Sequence, residues 1–453
     1  MELRDEFPRT REGHLCVGGC DALELARTFG TPLHVLDGGR LRANLRAYRE
    51  AFARHAPGGQ PVFASKALCV LATCQLAHRE GLWVDVASGG ELYTALRAGV
   101  PAAHLVFHGN YKTEEELRYA LEVGVGRVAV DNFFELDLLD RLARQSGRVV
   151  DVWLRVTPGI EPHTHRAIQT GGVDTKFGFA IPGGAALRAT REALERPGLR
   201  LRGFHSHIGS QILELEPFRL NAELVVAFAA QVRSQLGYVA EEVNLGGGLG
   251  IRYLSSDRPP SIEAYVAAVA EALRSACRAA DYPVPRLFLE PGRSVVGPAG
   301  VTLYTVGPVK EIDGVRTYVA VDGGMYENPR PALYGARYEA VVAERPDDPP
   351  EQVVALAGRC CESGDVLVWE ARLPAVRPGD VVAVFSTGAY TYSMASNYNR
   401  FARPALVLAE EGRTALVVRR EGYEDLVRMD VPLSVEVSQA VAGGPAAGGC
   451  EGV

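Results

Sequence analysis

Lys66 places an amine in an otherwise mostly apolar stretch, Pro61–Leu68. Read as a strand, this stretch alternates, so that Val62, Ala64 and Lys66 share one face and the amine lies at the strand's carboxyl end. A buried amine is costly unless it is paired or used chemically. A desolvated lysine amine is also the group that forms a Schiff base with an aldehyde cofactor. The alternative is a lysine that extends from the strand end into solvent.

A second chemical feature is the glycine-rich stretch Asn244–Gly250, in which four of five consecutive positions are glycine. Without side chains, the backbone N–H groups of Gly246, Gly247 and Gly248 can approach an anion closely. Phosphate sites of barrel enzymes lie in the loops after strands seven and eight. The stretch therefore indicates a phosphate site, with a plain tight turn as the alternative.

Glu290 and His207 add a carboxylate and an imidazole. A carboxylate that faces a pyridine nitrogen keeps it protonated and makes the ring an electron sink. The alternative for Glu290 is a salt bridge with Arg293. His207 has the chemistry to stack on an aromatic cofactor, although a lone strand histidine is more often a satisfied core residue. Asp85 and Arg155, taken alone, are typical of structural ion pairs.

The elements that must position these groups alternate between strand-like and helical runs. This spacing predicts parallel βαβ units, and eight strands over about 240 residues favour a (β/α)8 barrel. An open Rossmann-like sheet is the alternative, but the glycine triplet lacks its fingerprint spacing. The predicted strands are Val62–Lys66, Trp83–Ser88, Leu105–Gly109, Val128–Asn132, Val149–Val156, Leu201–Ile208, Glu242–Leu245 and Leu287–Glu290, and the helices between them include Leu71–Arg79, Glu91–Ala98, Thr113–Leu121, Phe134–Ala143, Pro217–Leu236 and Ser261–Ala280.

All eight predicted strands carry polar or glycine residues at or next to their carboxyl ends. Active sites of such barrels are built at that face from several strand ends. Some polar strand ends also arise because strands exit into loops. In chain order the ends carry Lys66, Asp85 with Ser88, His108 with Asn110, Asp131 with Asn132, Arg155, His205 with His207, the glycine triplet, and Glu290 with Arg293.

The pattern changes after about Pro298, where short β-rich runs separated by turns predict a second, all-β domain. We expect the (β/α)8 barrel, as a cofactor-binding domain, at residues 37–298 and the β domain at 299–437. Residues 1–36 are expected to pack with the β domain, and the Gly- and Ala-rich residues 438–453 to be disordered. The predicted β-domain strands are Val301–Val306, Thr317–Val321, Gln352–Leu356, Val366–Trp369, Val381–Phe385 and Ala405–Leu408.

Composition narrows the function classes. The 453 residues carry a net charge of −7 with no long basic run, which disfavours nucleic acid or an anionic membrane as a partner. No signal core or bilayer-spanning apolar stretch is found in the sequence. The eight cysteines form no regular framework, so we expect free thiols, a cytoplasmic location and no metal, with a zinc site as a weak alternative.

Six motifs resemble, in their order along the chain, the fold-type III PLP-dependent decarboxylases, and the resemblance covers residues 10 to 435. They are Lys66 in its strand, His207–Ser210, Gly246–Gly248, Glu290–Arg293, Cys361–Asp365 and Gly388–Tyr390. Phe204–Ile212, Asn328–Tyr334 and Cys361–Asp365 are most similar to the branch that converts meso-2,6-diaminopimelate to L-lysine and CO2, the last step of lysine biosynthesis. Related enzymes act on ornithine, arginine or carboxynorspermidine.

The resemblance implies a role for each matching residue. Lys66 is implied as the Schiff-base lysine for pyridoxal 5'-phosphate, and Cys361 as a proton donor. The cofactor is implied to contact Lys66, Asp85, His207, Ser210, Gly246, Gly247, Gly248, Glu290, Gly292, Arg293 and Tyr390, and the substrate Arg293, Arg330, Tyr334, Glu362 and Tyr390. The resemblance further implies a homodimer whose active sites are shared between subunits.

Two departures and two other functions bear on this interpretation. Leu68 stands where many relatives have Asn, and Arg337-Tyr338 where many have His. An amino-acid racemase on the same fold is an alternative, but Glu290 argues against it, because racemases place an arginine at the pyridine nitrogen. A non-catalytic regulator is the other alternative, and the presence of Lys66, Glu290 and Cys361 argues against that.

Overall fold

The computed structural model describes residues 2–159 and 174–433. The tail predicted to be disordered, residues 438–453, lies outside the described residues. Within the described part of the chain, no helix combines the length and the apolar character needed to span a lipid bilayer.

Eight parallel strands close into a barrel, as predicted. Neighbouring strands pair in chain order, and the circle closes where Leu199–His205 pairs with Val150–Thr157 and Arg286–Leu289 pairs with Gln60–Ala64. The closed ring excludes the open Rossmann-like sheet. In chain order the strands are Gln60–Ala64, Trp83–Val86, Leu105–Phe107, Arg127–Val130, Val150–Thr157, Leu199–His205, Glu242–Asn244 and Arg286–Leu289.

Helices surround the barrel, and polar residues at several strand ends serve to start them. Asn132 accepts the backbone N–H of Glu135 at 2.9 Å, and Ser88 accepts that of Glu91 at 3.2 Å, so these two residues are helix N-caps. Ala185–Leu194 was not among the predicted helices. The helices around the barrel are Gly38–His55, Leu71–Arg79, Gly89–Arg97, Glu114–Val123, Phe133–Gln145, Ala185–Leu194, Glu216–Leu236 and Ile262–Ala279, followed by the short Arg293–Val296.

The amino end of the barrel is filled by side chains. Trp153 and Phe288 pack edge to face in the interior, with ring centroids 4.9 Å apart. Below them Glu242 accepts two hydrogen bonds from Arg127, at 2.7 and 2.8 Å, and one from Trp153 at 2.8 Å. Because this end is packed and internally satisfied, the opposite end is where a cavity can form.

A β-rich domain follows the barrel, and the long strand Gly300–Ile312 is its central element. It pairs antiparallel with Arg316–Val321, with Val381–Phe385 and with the early strand Leu33–Asp37. Ala340–Val342 and Arg413–Val418 were not predicted. The other strands of this domain are Gln352–Ala357, Val366–Leu373 and Ala405–Glu410. Three two-residue strands lie outside these sheet pairings, namely Cys16–Val17, Cys20–Asp21 and Phe179–Ala180. The remaining short helices are Ala22–Phe29, Arg330–Tyr334 and Tyr423–Val427.

Candidate active site

A cavity of about 630 Å³ lies where the strands of the barrel end. A smaller space of about 20 Å³ shares five of its lining residues and forms its inner end. The structure thus brings most of the predicted site residues together. The large cavity is lined by Lys66, His207, Ser210, Arg293, Arg330, Tyr334 and Tyr390 among others, and the inner space adds Asp85, Gly248, Glu290 and Gly292.

Lys66 lies in a single 3-10 turn, Ser65–Ala67, and not in the strand, which ends at Ala64. The expected alternation of Val62, Ala64 and Lys66 along one strand is therefore wrong at its last position. The side chain is exposed to the cavity. Enclosure by protein lowers the pKa of Lys66, but the nearby Tyr390 and Asp85 raise it, and its net pKa lies above the ordinary value.

Glu290 is buried among three polar side chains from other strand ends. His108 Nε2 lies 2.7 Å from Oε1, Asn244 Nδ2 donates to Oε1 at 2.6 Å, and His205 Nε2 lies 3.2 Å from Oε2. Among the described residues Glu290 makes no ion pair with Arg293, so the alternative of a Glu290–Arg293 salt bridge is excluded. His108 and His205 were recognised in the sequence only as strand-end residues, and that position was the available signal.

The charges in this group follow from burial and hydrogen bonding. Burial alone would raise the pKa of Glu290, but His108 and His205 together lower it by more than burial raises it. The pKa of Glu290 therefore lies well below the ordinary range. Burial lowers the pKa of His205 to about 4 and also lowers that of His108. At neutral pH the site therefore holds one carboxylate beside two neutral imidazoles.

His207 faces the cavity above the glycine loop. Its Nδ1 atom accepts the backbone N–H of Gly247 at 3.2 Å. Burial and the charge of Lys66 hold the pKa of His207 well below its usual range. A neutral imidazole ring of fixed orientation therefore borders the space beside the Lys66 amine.

The glycine triplet acts partly by allowing close packing. A Cβ atom at Gly247 would lie 2.0 Å from the carbonyl oxygen of Glu290, and one at Gly246 would lie 2.8 Å from His207 Nδ1. The N–H groups of Gly246 and Gly247 donate to Asn244 and His207. The N–H of Gly248 donates to no acceptor within residues 2–159 and 174–433. Only part of the triplet is therefore available to an anion, which is fewer donors than the sequence suggested.

Ser210, Arg293 and Tyr390 surround the inner end of the cavity near this loop. Arg293 donates to Ser210 Oγ from Nε at 3.2 Å and from Nη2 at 2.8 Å, and its Cζ lies 4.8 Å from the Tyr390 ring centre. Tyr390 has a left-handed φ of 58°, and its N–H donates to Ala67 O at 2.8 Å. Such strain in a non-glycine residue persists where the surroundings fix it, here beside the Lys66 turn.

Asp85 and Arg155 differ in their pairing. Arg155 Nε lies 3.8 Å from Asp131 Oδ1, and its guanidinium lies 4.1 Å from the Phe177 ring centre, as expected for an ion-pair member. Asp85 forms no ion pair with any described residue. Its pKa is raised well above the usual value by burial and by the charge of Glu290.

Cys361 and Glu362 lie apart from these groups. Both are exposed, and the Cys361 N–H donates to Asn399 Oδ1 at 2.8 Å. Neither residue lines the cavity of its own chain as far as the described residues extend. The structure therefore leaves these two predicted site residues outside the cavity that collects the others.

The residues present fit pyridoxal phosphate. Asp85 Oδ1, His205 Nδ1 and Ser65 Oγ are buried polar atoms without a hydrogen-bond partner, which is unusual in a complete site. The cavity offers an amine for the aldehyde, a carboxylate for the pyridine nitrogen, and serine and arginine side chains for a phosphate. A cofactor with these three ends matches the groups that the fold brings together.

Comparisons with known proteins also indicate a protein that binds pyridoxal phosphate. The family described as "Pyridoxal-dependent decarboxylase, pyridoxal binding domain" matches residues 39–297. The diaminopimelate decarboxylase of Bacillus subtilis (strain 168) is 49% identical over 439 residues, covering 97% of this chain and all of that protein. The corresponding protein of Synechocystis sp. (strain PCC 6803) is 45% identical over 429 residues, covering 93% and 91% of the two chains.

Among solved structures, the chain is similar to diaminopimelate decarboxylases and also to a lysine/ornithine decarboxylase. Diaminopimelate decarboxylase from M. jannaschii, in complex with L-lysine, has a TM-score of 0.87 and 36% identity, covering 96% of this chain and 99% of that one. Lysine/ornithine decarboxylase from Vibrio vulnificus, in complex with putrescine, has a TM-score of 0.72 and 25% identity, covering 86% and 97%. The similarity is thus greater to the diaminopimelate enzyme than to the enzyme named for lysine and ornithine.

The fold and the site define a PLP-dependent amino-acid decarboxylase built on a (β/α)8 barrel with a β-rich domain. The chain belongs to this family and, within it, to the diaminopimelate decarboxylases. It removes CO2 from meso-2,6-diaminopimelate and yields L-lysine, with pyridoxal 5'-phosphate as cofactor. The racemase and the non-catalytic regulator are set aside by these relatives.

Proposed function

We propose that decarboxylation takes place in the cavity at the strand ends, with Lys66 as the residue that holds pyridoxal phosphate. The observation that carries this proposal is that Lys66, His207, Ser210, Glu290 and Arg293 line one inner space. An amine, a neutral ring, a carboxylate and an anion-binding pair are thereby held around a volume that water would otherwise fill. When bound, the cofactor supplies a sink for the electron pair left as CO2 departs.

Each surrounding residue has a proposed task in holding the cofactor. Lys66 binds the aldehyde carbon, Glu290 faces the pyridine nitrogen and His207 covers the ring. Because Glu290 is a carboxylate between neutral imidazoles, it favours a proton on the facing nitrogen. The phosphate is held by Ser210, Arg293, Tyr390 and the Gly248 N–H, while Gly246, Gly247 and Gly292 permit the close packing and Asp85 lies at the inner end.

The substrate's second carboxylate is proposed to bind Arg293, Arg330 and Tyr334. Arg293 and Arg330 are buried and line the cavity, and no described carboxylate lies within 4 Å of either guanidinium. Buried cations without an acidic partner favour an anionic ligand, and arginine binds carboxylates with two parallel hydrogen bonds. The L-lysine bound by the M. jannaschii relative retains such a carboxylate, which supports the proposal.

A homodimer with shared active sites is proposed to complete the cavity. Cys361 and Glu362 are exposed and lie outside the cavity of their own chain, so a partner subunit is the simplest source of both groups. After CO2 leaves, the reacting carbon needs an acid on a defined face, and the Cys361 thiol can supply that proton. Glu362 is proposed to receive the substrate's distal ammonium.

We also propose that residues 37–298 form the cofactor domain and 299–437 the β domain, with 1–36 packed on the latter. The pairing of Leu33–Asp37 with Gly300–Ile312 supports this division.

A cytoplasmic location is proposed because the seven cysteines in the described ranges are all free thiols, as expected in a reducing compartment.

The experiment is CO2 release from a panel of meso-diaminopimelate, ornithine, lysine and arginine. The wild-type enzyme should prefer meso-diaminopimelate, and Arg330→Met should raise its KM much more than the KM for ornithine, which has no second carboxylate. Arg337→Met, an exposed arginine at the cavity rim, is the matched control. A wild-type preference for ornithine would refute the substrate assignment while leaving the cofactor assignment intact.

A further inference from the structure

Tyr253, which no motif of the sequence singled out, contacts both arginines of the cavity. It is buried, and its ring centre lies 4.7 Å from the Arg330 Cζ and 5.7 Å from the Arg293 Cζ. Arg293 also donates from Nη1 to the phenol oxygen of Tyr253. One aromatic side chain therefore contacts both guanidinium groups.

Tyr338 holds Arg330 from a second side. Arg330 donates from Nη1 to the phenol oxygen of Tyr338 at 2.6 Å. Tyr338 is also buried, and its ring packs edge to face on Tyr253 with centroids 5.4 Å apart at 87°. The two tyrosines thus fix each other as well as the arginine, one through a ring face and the other through a hydroxyl group.

The backbone holds this arrangement in place. The N–H groups of Tyr253 and Leu254 both donate to Asp257 Oδ2 at 2.9 Å, which fixes the loop after the seventh barrel strand. Asp257 is thereby engaged with the backbone. No described carboxylate pairs with Arg330, so Tyr253 and Tyr338 are the side chains that orient this cation before a ligand arrives. Arg293 is oriented by Ser210 as well as by Tyr253.

We propose that Tyr253 and Tyr338 are positioning residues that preorganise Arg330 and so set selectivity for ligands with a second carboxylate. The attraction between a cation and an aromatic face offsets part of the free-energy cost of burying the cation. A side chain that is fixed before binding also loses less conformational entropy when the ligand binds. The proposal rests on the proposed role of Arg330 as the residue that binds the distal carboxylate.

The test compares two ligands of the holoenzyme by calorimetry: L-lysine, which keeps the distal carboxylate, and cadaverine, which lacks it. Tyr338→Phe removes one hydrogen bond to a charged group and should weaken L-lysine binding about tenfold while changing cadaverine binding less than about twofold. Tyr253→Leu removes the aromatic face and should act in the same direction, whereas Tyr253→Phe keeps the face over Arg330 and should affect L-lysine less than Tyr253→Leu.

Tyr282→Phe is the control, because Tyr282 is a buried tyrosine whose oxygen accepts the Ala240 N–H at 2.7 Å, away from the cavity. It should leave both affinities unchanged. Arg330→Met separates the two proposals: if it leaves the ratio of the affinities unchanged, the role of Arg330 fails. The positioning role of the tyrosines is overturned if Arg330→Met lowers the ratio of L-lysine affinity to cadaverine affinity but neither Tyr338→Phe nor Tyr253→Leu lowers it. It is also overturned if the tyrosine variants weaken the binding of both ligands equally.

Discussion

The Nε2 atom of His205 lies 3.2 Å from Oε2 of Glu290, and both side chains are buried. Burial lowers the pKa of His205 to about 4, so the ring is neutral at pH 7 and offers an N–H to the carboxylate. A neutral donor orients the carboxylate without cancelling its charge. Glu290 consequently remains a full negative charge directed at whatever cation enters the inner cavity.

Replacing Glu290 with Gln should lower kcat/KM for meso-diaminopimelate by about a hundredfold or more, roughly 2.7 kcal/mol. The substitution keeps the shape of the side chain but removes the charge that favours a protonated pyridine nitrogen. Steady-state CO2 release measures the effect. A loss smaller than about tenfold would show that Glu290 is mainly structural.

Glu242→Gln is the matched control for this substitution. Glu242 is equally buried but accepts its hydrogen bonds from Arg127 and Trp153 at the opposite end of the barrel. The variant should lower the thermal unfolding temperature and leave the activity of the folded enzyme near that of wild type. Equal loss of activity in both variants would attribute the Glu290 effect to the fold.

Replacing Lys66 with Ala should abolish turnover and the near-visible absorption of the covalently held cofactor. The chain has only four lysines. Lys112 is buried and donates to Glu135 at 2.6 Å, and Lys176 and Lys310 are exposed. Borohydride reduction of the wild-type holoenzyme followed by peptide mapping should therefore find the cofactor on the peptide that contains Lys66.

Lys176→Ala provides the comparison, since Lys176 is exposed and adjoins the cavity residue Phe177. Its absorption spectrum and its reduced peptide should match those of wild type. Recovery of the label on Lys176, or retention of both turnover and reducible absorption in Lys66→Ala, would refute the assignment of Lys66.

Much of the fold could be predicted because alternation of strands and helices is a local property of the sequence. The end of the first strand was predicted less well, because nothing in Pro61–Leu68 signals that the backbone turns at Ser65. The contacts of Glu290 with His108 and His205 could not be predicted from spacing. They join the third, sixth and eighth strands across the closed barrel, so they depend on closure.

The residues of the site likewise fall into those that could be predicted from the sequence and those that could not. Lys66 and His207 stood out by their type and position, the resemblance to a family added Arg330, and the structure collects all three in one cavity. Tyr253 was missed because it lies in a loop after the glycine stretch, where a tyrosine has no distinctive pattern. Polar strand ends overpredicted the site, since Ser88 and Asn132 are helix caps.

Stability should fall as the pH is lowered through the titration range of the buried histidines. Burial lowers the pKa of His205 from about 6.5 in the unfolded chain to about 4. Between these values the unfolded chain binds the proton that the folded chain does not, so protonation favours unfolding. The stabilising contribution is complete above about pH 6.5 and is lost progressively toward pH 4. Urea unfolding of the apoenzyme at several pH values between 4.5 and 7.5 measures it.

His205→Gln isolates this contribution from the other titrating groups. Asp85 acts in the opposite sense, because its raised pKa favours the folded state as the pH falls. Glutamine retains a donor for Glu290 but does not titrate, so the variant's unfolding free energy should depend less steeply on pH than that of wild type. Equal slopes for the two proteins would contradict the depressed pKa of His205.

The proposed sharing of active sites predicts complementation between two inactive variants. Lys66→Ala removes the cofactor lysine, and Cys361→Ala removes the proton donor that we assign to the partner subunit. In a mixed dimer, one cavity combines the intact Lys66 with the intact Cys361, and the other lacks both. If half of the dimers are mixed after exchange and the interface is symmetric, about a quarter of wild-type activity should return.

Subunit exchange must be demonstrated independently, for example by energy transfer between differently labelled subunits. Cys20→Ala replaces a partly exposed thiol near the amino terminus and serves as the control for loss of a cysteine, because it should be active without mixing. The Cys361→Ala parent alone must be inactive, since its cavities would lack the acid that delivers the final proton. Exchange without recovery, from two inactive parents, would place Cys361 in its own subunit's site or outside the active site altogether.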